Sequence, residues 1–378
     1  MYISAFHFKS KLRSLCKRLG SLISTCTQTV FGLLIRDTIP KIDYKREIHK
    51  LFDGGEVALD WIAAPDSKVS EDTPIVLFLP GLSGDSQCGY MKSFVNVARW
   101  RLKARCVVFN YRGCGGHDQK TSRTYCAANS EDLASVISHI KTTYPNAMLL
   151  ALGVSLGGII LGNYLAEQGE KAAGVLSGAM MVSASFDPFK CTVSMERKGL
   201  NLMVNRYLTK CLIDSVKRIQ HYFVNSKLCN LDYVYKSSTL KEFDERFTCH
   251  QFGYKDCNDY FKDTKISGKL NRIKIPVLAL NAEDDPFSPG ETLPKDEAKL
   301  TDHFVLLSTS YGGHAGFLEG YWSTNYHFSE RVFEQFFKTI TKYSSGPAEF
   351  KGSKKRTKRE KNKLLLSDPL YSRSQRSL

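Results

Sequence analysis

Continuous apolar runs bounded by proline and glycine set the first reading of this chain. Pro74-Ile75-Val76-Leu77-Phe78-Leu79, Cys106-Val107-Val108-Phe109, Ala147-Met148-Leu149-Leu150-Ala151-Leu152 and Val277-Leu278-Ala279-Leu280 do not alternate with polar residues. Short runs of this kind predict buried strands. Two more strands are expected, at about 173–182 and at His303-Phe304-Val305-Leu306-Leu307-Ser308. Between them lie helical patterns: about 130–143, capped by Asn129 with Asp132 in the first turn, and Ile159 to Ala166. A last helix carries Val332, Phe333, Phe336, Phe337 and Ile340 on one face, which is expected to dock on the sheet. Strands alternating with helices predict crossover units, hence an α/β fold with a mostly parallel central sheet flanked by helices. Ligands in such a sheet bind beyond the C-terminal strand ends. Nearer the N-terminus, 45–51 and 57–62 flank Asp53-Gly54-Gly55 and read as a β-hairpin. The stretch from Ala184 to Ile275 breaks the rhythm. It is helix-rich and amphipathic, as in Leu200 to Leu208, and reads as a lid inserted before the last two strands.

Chemistry gathers where these strands end. Leu152-Gly153-Val154-Ser155-Leu156-Gly157-Gly158 joins a predicted strand to a predicted helix. A Gly-x-Ser-x-Gly in that context is a nucleophile elbow, which lifts the hydroxyl of Ser155 out of the sheet. The N–H of Leu156 then sits at a helix N-terminus, where developing negative charge is stabilised. The blander alternative is a glycine-softened junction with a capping serine. Pro80-Gly81-Leu82-Ser83-Gly84 follows another buried strand and places the N–H of Leu82 as a second oxyanion donor. After Asn281 come Asp284 and Asp285, locked between a strand and Pro286; spacing alone leaves the choice between them open. His314 lies on a glycine-flanked loop, Gly312-Gly313-His314-Ala315-Gly316-Phe317, and not on an apolar face.

The order serine, aspartate, histidine, each past a strand end, resembles the α/β-hydrolase order. Six stretches resemble the lipid-acting branch of that superfamily, which includes YheT-like proteins, abhydrolase-domain phospholipases and monoacylglycerol lipases. They are 80–84, Asn110-Tyr111-Arg112-Gly113, the elbow, Phe243-Asp244-Glu245-Arg246-Phe247-Thr248, 284–289 and 312–317. The resemblance implies an α/β-hydrolase fold with a helical lid over the site, and Asp285 as the acid. It implies hydrolysis of carboxyl esters of lipids, monoacylglycerol or short- and medium-chain phospholipid, through Ser155, His314 and Asp285 with an acyl-enzyme intermediate. Neither a metal nor an organic cofactor is expected. Two rivals share the pattern: an acyltransferase that passes the acyl group to an alcohol, and a non-catalytic membrane-associated scaffold.

Charge qualifies this picture at the ends. The 378 residues carry a formal +15, but 1–36 and 351–378 together account for +14, leaving about +1 for the body. The body is therefore not expected to bind nucleic acid, and the basic ends suit an anionic lipid surface. Phe8, Leu12, Leu15, Leu19 and Leu22 recur at helical spacing among Lys9, Lys11, Arg13, Lys17 and Arg18. Residues 1–36 thus read as a basic amphipathic anchor or a targeting segment; a plain soluble helix is the third role. The uncharged run 19–35 is 17 residues long and holds Ser, Thr and Gln28, too short and polar for a good membrane span. The expected plan is 37–343 for the hydrolase domain, with a lid at about 184–275, and 344–378 for a basic disordered tail. Lys354 to Arg359 has the composition of a nuclear address, and a lipid-contacting or solvated tail is the reading adopted. Eleven scattered cysteines with no C-x-x-C pair suggest free thiols in a reducing compartment. The expected location is a membrane surface, endoplasmic reticulum or cytoplasmic face, with cytosol or mitochondrion as alternatives.

Overall fold

A computed structural model gives the architecture, describing residues 28, 29, 32, 35–64, 70–223, 229–319 and 326–344. Eight strands form one sheet: β1 (Lys45–Lys50), β2 (Glu56–Ile62), β3 (Ile75–Leu79), β4 (Arg105–Asn110), β5 (Leu149–Val154), β6 (Gly178–Val182), β7 (Val277–Ala282) and β8 (Phe304–Thr309). Their order is β1-β2-β4-β3-β5-β6-β7-β8. The hairpin β1–β2 and the β2–β4 pair are antiparallel, and every later pair is parallel. The predicted hairpin turns where Leu51 N–H bonds Gly55 O at 2.8 Å and Gly54 takes φ +78°.

The continuous apolar runs have a plain cause: helices cover both faces of the sheet. Every residue of β3, β5, β6 and β7 is buried. Ile75, Leu77 and Leu79 share a cluster with Leu133, Val136 and Ile137 of α2 (Glu131–Thr143) and Ile160, Leu161 and Leu165 of α3 (Leu156–Gln168). On the other face the Phe78 ring meets Phe333 of the last helix at 6.1 Å, and Phe94 of α1 (Gly89–Arg101) meets the same ring edge-on at 5.3 Å. The last helix therefore docks as its aromatic stripe predicted, through fully buried Phe333 and Phe337.

The chain leaves β3, crosses to β4 on one side and returns to β5 on the other. That reversal opens a crevice past the ends of β3 and β5. The register Leu79↔Gly153 sets the loop after β3 beside the elbow after β5.

Three boundaries differ from the sequence reading. The strand expected from 173 begins at Gly178, because Glu170–Ala173 is a short helix closed by Leu176 N–H on Ala172 O at 2.8 Å. Asn129 caps α2 through Glu131 N–H at 3.2 Å, but the residue at the helix threshold is Ser130. The folded body also reaches back past residue 37. Arg36 is 1% exposed, and Thr29 is buried. Residues 1–27, where the amphipathic pattern falls, and the tail from 345 lie outside the described residues. Among the described residues no helix is long and apolar enough to cross a membrane.

Between β6 and β7 the chain forms the predicted helical insertion. Its main elements are α4 (Pro188–Met195), α5 (Leu200–Arg218) and α6 (Cys257–Thr264). It holds a small apolar core of its own, with Ile213, Val216, Phe223, Val234, Phe243 and Phe247 buried together. The chain divides into two compact units, 1–338 and 339–378. All that follows concerns the first. Of the second, the described residues 339–344 are the final turns of α7 (Phe328–Ser344).

Candidate active site

Ser155 stands at the break between β5 and α3 with φ +54° and ψ −117°, a conformation that side-chain-bearing residues rarely adopt. Close packing enforces it. A Cβ on Gly157 would fall 2.2 Å from Leu79 O, and one on Gly153 would fall 2.4 Å from Gly157 O. Only glycine at both flanks lets the helix start against β3, which is why the elbow carries that spacing. Ser155 N–H is tied to Val182 O at 2.8 Å.

The Ser155 hydroxyl lies 2.9 Å from Nε2 of His314. Nδ1 of the same ring lies 2.9 Å from Oδ2 and 3.1 Å from Oδ1 of Asp285. Asp285 is 1% exposed, and its Oδ1 also accepts the N–H groups of Phe287 at 2.8 Å and Ser288 at 3.3 Å. A carboxylate accepts only, so Nδ1 is the protonated nitrogen and Nε2 is left to accept the hydroxyl proton. The neighbouring acid does different work: Asp284 Oδ1 accepts Gly313 N–H at 2.9 Å, shaping the histidine loop. Of the two acids that spacing left open, Asp285 is the one that reaches the imidazole. The Phe287 ring packs at 4.4 Å, near edge-on, against the imidazole.

Leu82 and Leu156 line the same cavity as Ser155 and His314. Three tyrosines hold the loop that carries Leu82. Tyr90 Oη accepts Gly81 N–H at 2.9 Å, Tyr125 Oη accepts Ser83 N–H at 3.2 Å, and Tyr111 Oη donates to Pro80 O at 2.8 Å. Burial raises all three phenol pKa values well above the ordinary range, so the groups stay neutral. The N–H groups on either side of Leu82 are used in this way. Among the described residues neither Leu82 N–H nor Leu156 N–H has an acceptor.

Residues 74–321 match the model of the alpha/beta hydrolase fold. Phospholipase ABHD3 of Homo sapiens is 42% identical over 307 residues, 80% of this chain and 74% of that protein. Monoacylglycerol lipase of Saccharomyces cerevisiae is 26% identical over 344 residues, 79% of this chain and 75% of that one. The solved structure of the Pyrococcus furiosus esterase Pf2001 shares the fold, with a TM-score of 0.52 at 13% identity over 80% of this chain and 92% of its own.

The chain belongs to the alpha/beta hydrolase fold family.

In this hydrolase the serine and histidine open onto a cavity of about 720 Å³, within the range of small-molecule pockets. Its floor is the sheet edge and its walls come from the insertion, including Val204, Leu208 and Leu212 of α5 and the aromatic rings of Phe243, Phe247 and Tyr260. One acid lies in this apolar wall. Asp244 accepts the Thr248 hydroxyl at 2.7 Å, and among the described residues no Lys, Arg or His pairs with it. Burial pushes its carboxyl from 3.8 up to about 7, against the smaller opposing pull of Thr248.

The stretch Asn110-Tyr111-Arg112-Gly113, recognised by likeness alone, acquires a physical role. Asn110 donates to Asp60 at 2.9 Å and accepts Ser86 N–H at 2.9 Å. Arg112 forks onto Asp132 at 2.7 and 2.8 Å and onto Asp53 at 2.6 and 3.1 Å. It thereby joins the hairpin turn to α2. Sequence reasoning missed Tyr90 and Tyr125, because an isolated tyrosine in a loop or a helix gives no pattern. It also missed Thr29 and Arg36, whose contacts to the histidine loop span most of the chain, and Glu330, which holds Arg36.

Proposed function

We propose that this carboxylic ester hydrolase cleaves acyl esters of lipids, acylglycerol or phospholipid, with Ser155 as nucleophile. The observation that carries the reading is the unbroken run of hydrogen bonds from Ser155 through His314 to buried Asp285, opening on a largely apolar cavity. Two relatives named as a phospholipase and a monoacylglycerol lipase support the lipid substrate.

In the first step His314 Nε2 takes the hydroxyl proton as Ser155 Oγ attacks the ester carbonyl. Asp285 holds the tautomer and stabilises the imidazolium. The carbonyl oxygen becomes an oxyanion between the N–H groups of Leu82 and Leu156, each donor worth about 3 kcal/mol in the transition state. The alcohol departs with the proton from His314, leaving an acyl-serine. Water, deprotonated by the same imidazole, releases the fatty acid. The acyl chain lies among the apolar side chains of α5 and the phenylalanines of the insertion, where burial contributes about 0.8 kcal/mol per methylene.

The protein works at a lipid surface, held by the basic amphipathic stretch Phe8 to Leu22. The test is lipid analysis of purified protein given mixed acylglycerols and phosphatidylcholines. Free fatty acid and the matching deacylated lipid are expected from wild type and not from Ser155→Ala. Equal release by both proteins would refute the reading.

A further inference from the structure

The loop that carries His314 does not hold itself. Ala315 and Phe317 adopt φ +55° and +46°, the left-handed region that side-chain-bearing residues rarely occupy. Among the described residues one backbone bond runs within the loop, Phe317 N–H on Gly312 O at 2.9 Å. Its conformation is imposed from outside, by Asp284 at Gly313, by Ser183 Oγ accepting Ala315 N–H at 2.9 Å, and by a segment almost three hundred residues upstream.

That segment contributes residues 28, 29, 32, 35 and 36, which are helical and spaced as one helix face. Thr29 Oγ1 accepts the N–H of His314 itself at 2.9 Å. Gln28 Oε1 accepts Leu318 N–H at 3.1 Å. Arg36 Nη1 donates to Ala315 O at 3.0 Å and Gly316 O at 2.8 Å. The backbones touch without side chains between them: a Cβ on Gly32 would fall 2.8 Å from Gly316 Cα, and one on Gly316 would fall 2.4 Å from Gln28 O. Arg36 is fixed in turn by Glu330, which it grips at 3.0 and 3.2 Å, with exposures of 1% and 0%. Burial pushes the Glu330 carboxyl up, but the Arg36 charge and the bonds from Arg36, Ser93 and Ser329 more than offset it and hold it below the ordinary range. Glu330 therefore stays ionised beneath the guanidinium that grips the loop carbonyls.

We infer that residues 28, 29, 32, 35 and 36 form a strap that sets the imidazole against Ser155, and that Thr29 is a positioning residue for the reaction. Its hydroxyl fixes the histidine backbone, while its side chain also lines the cavity. The consequence reaches the N-terminal stretch read from the sequence as an anchor or a targeting segment. A processing cut between residues 29 and 36 would remove the Thr29 and Gln28 bonds to the histidine loop and to Leu318 just beyond it, while leaving Ser155, Asp285 and His314 in the chain.

The inference rests on the serine chemistry proposed above, and its test separates the two. Arg36 is a poor probe, because its removal leaves Glu330 buried and unpaired, at a cost that unfolds many domains. Thr29→Val has the same shape without the hydroxyl, and Thr29→Ser keeps the hydroxyl. Full-length wild type, Thr29→Val, Thr29→Ser and Ser155→Ala are compared on a soluble short-chain nitrophenyl ester, with kcat expressed per folded molecule. Thr29→Val is expected to lower kcat about 10-fold or more with KM within about 2-fold, because misplacing a reacting group costs rate and not binding. Thr29→Ser is expected to retain most of the activity. Wild-type kcat in Thr29→Val, or an equal loss in Thr29→Ser, with Ser155→Ala inactive, overturns the strap alone. Turnover by Ser155→Ala at the wild-type rate overturns the serine chemistry, and the strap's role with it.

Discussion

Replacing Asp285 by asparagine changes one atom of the site and should abolish nearly all turnover. Oδ1 of Asp285 already accepts two N–H groups, from Phe287 at 2.8 Å and Ser288 at 3.3 Å. An amide at this position must keep its oxygen there, since its NH₂ would meet two donors. The NH₂ then occupies the site of Oδ2, 2.9 Å from His314 Nδ1. A donor facing Nδ1 forces that nitrogen to accept, which moves the ring proton to Nε2. Nε2–H cannot take the proton of a hydroxyl 2.9 Å away. A wrong tautomer of this kind costs about 10⁴ in kcat, or about 5.5 kcal/mol of transition-state stabilisation. The assay is steady-state hydrolysis of a short-chain nitrophenyl ester by Asp285→Asn and Asp284→Asn side by side. KM should change little in either. Asp284→Asn keeps an acceptor for Gly313 N–H, so its loss should stay within about 10-fold, as for one neutral hydrogen bond. The reasoning is refuted if Asp285→Asn keeps a tenth of wild-type kcat, or if Asp284→Asn is the more damaging of the two.

Two further outcomes are expected. Tyr90→Phe removes the acceptor of Gly81 N–H; kcat should fall about 10-fold for one lost hydrogen bond, and Tm should fall by a few degrees, with kinetics and calorimetry as the checks. Asp244→Asn should be more stable than wild type above about pH 4, most of all at pH 7 and higher. The wild-type carboxyl is raised from 3.8 to about 7, so its contribution to stability is full below pH 3.8 and is lost as pH rises through 7. The loss is about 4 kcal/mol at most. The neutral amide does not titrate, so Tm of the variant should exceed wild type by more at pH 8 than at pH 5, and equal Tm values at both would show that the Asp244 carboxyl is not raised by burial.

Legibility followed the range of the interactions. β3, β5 and β7 were readable because both faces are covered, which leaves an apolar run of the right length in the sequence. Ser155 was readable because steric limits at Gly153 and Gly157 act within the motif itself. His314 was readable through its glycine neighbours. The start of β6 was misplaced because Val175 and Leu176, apolar enough for a strand, belong to a turn whose register a window of residues does not reveal. The choice of Asp285 over Asp284 needed family likeness, since two adjacent carboxyls differ only in which way the loop aims them. The strap was invisible for a different reason. Thr29 and Arg36 meet His314 and its neighbours, and Glu330 meets Arg36, only after the whole sheet is assembled, and Arg36 read alone is one more cation in a basic stretch.

The central claim is that the hydroxyl at position 155 is the nucleophile. It is tested most directly by treating the full-length protein with a fluorophosphonate and locating the adduct by mass spectrometry. The account predicts one adduct on the peptide containing Ser155, lost in Ser155→Ala and strongly slowed in Asp285→Asn. An adduct on another residue, or labelling undiminished in Ser155→Ala, would contradict it.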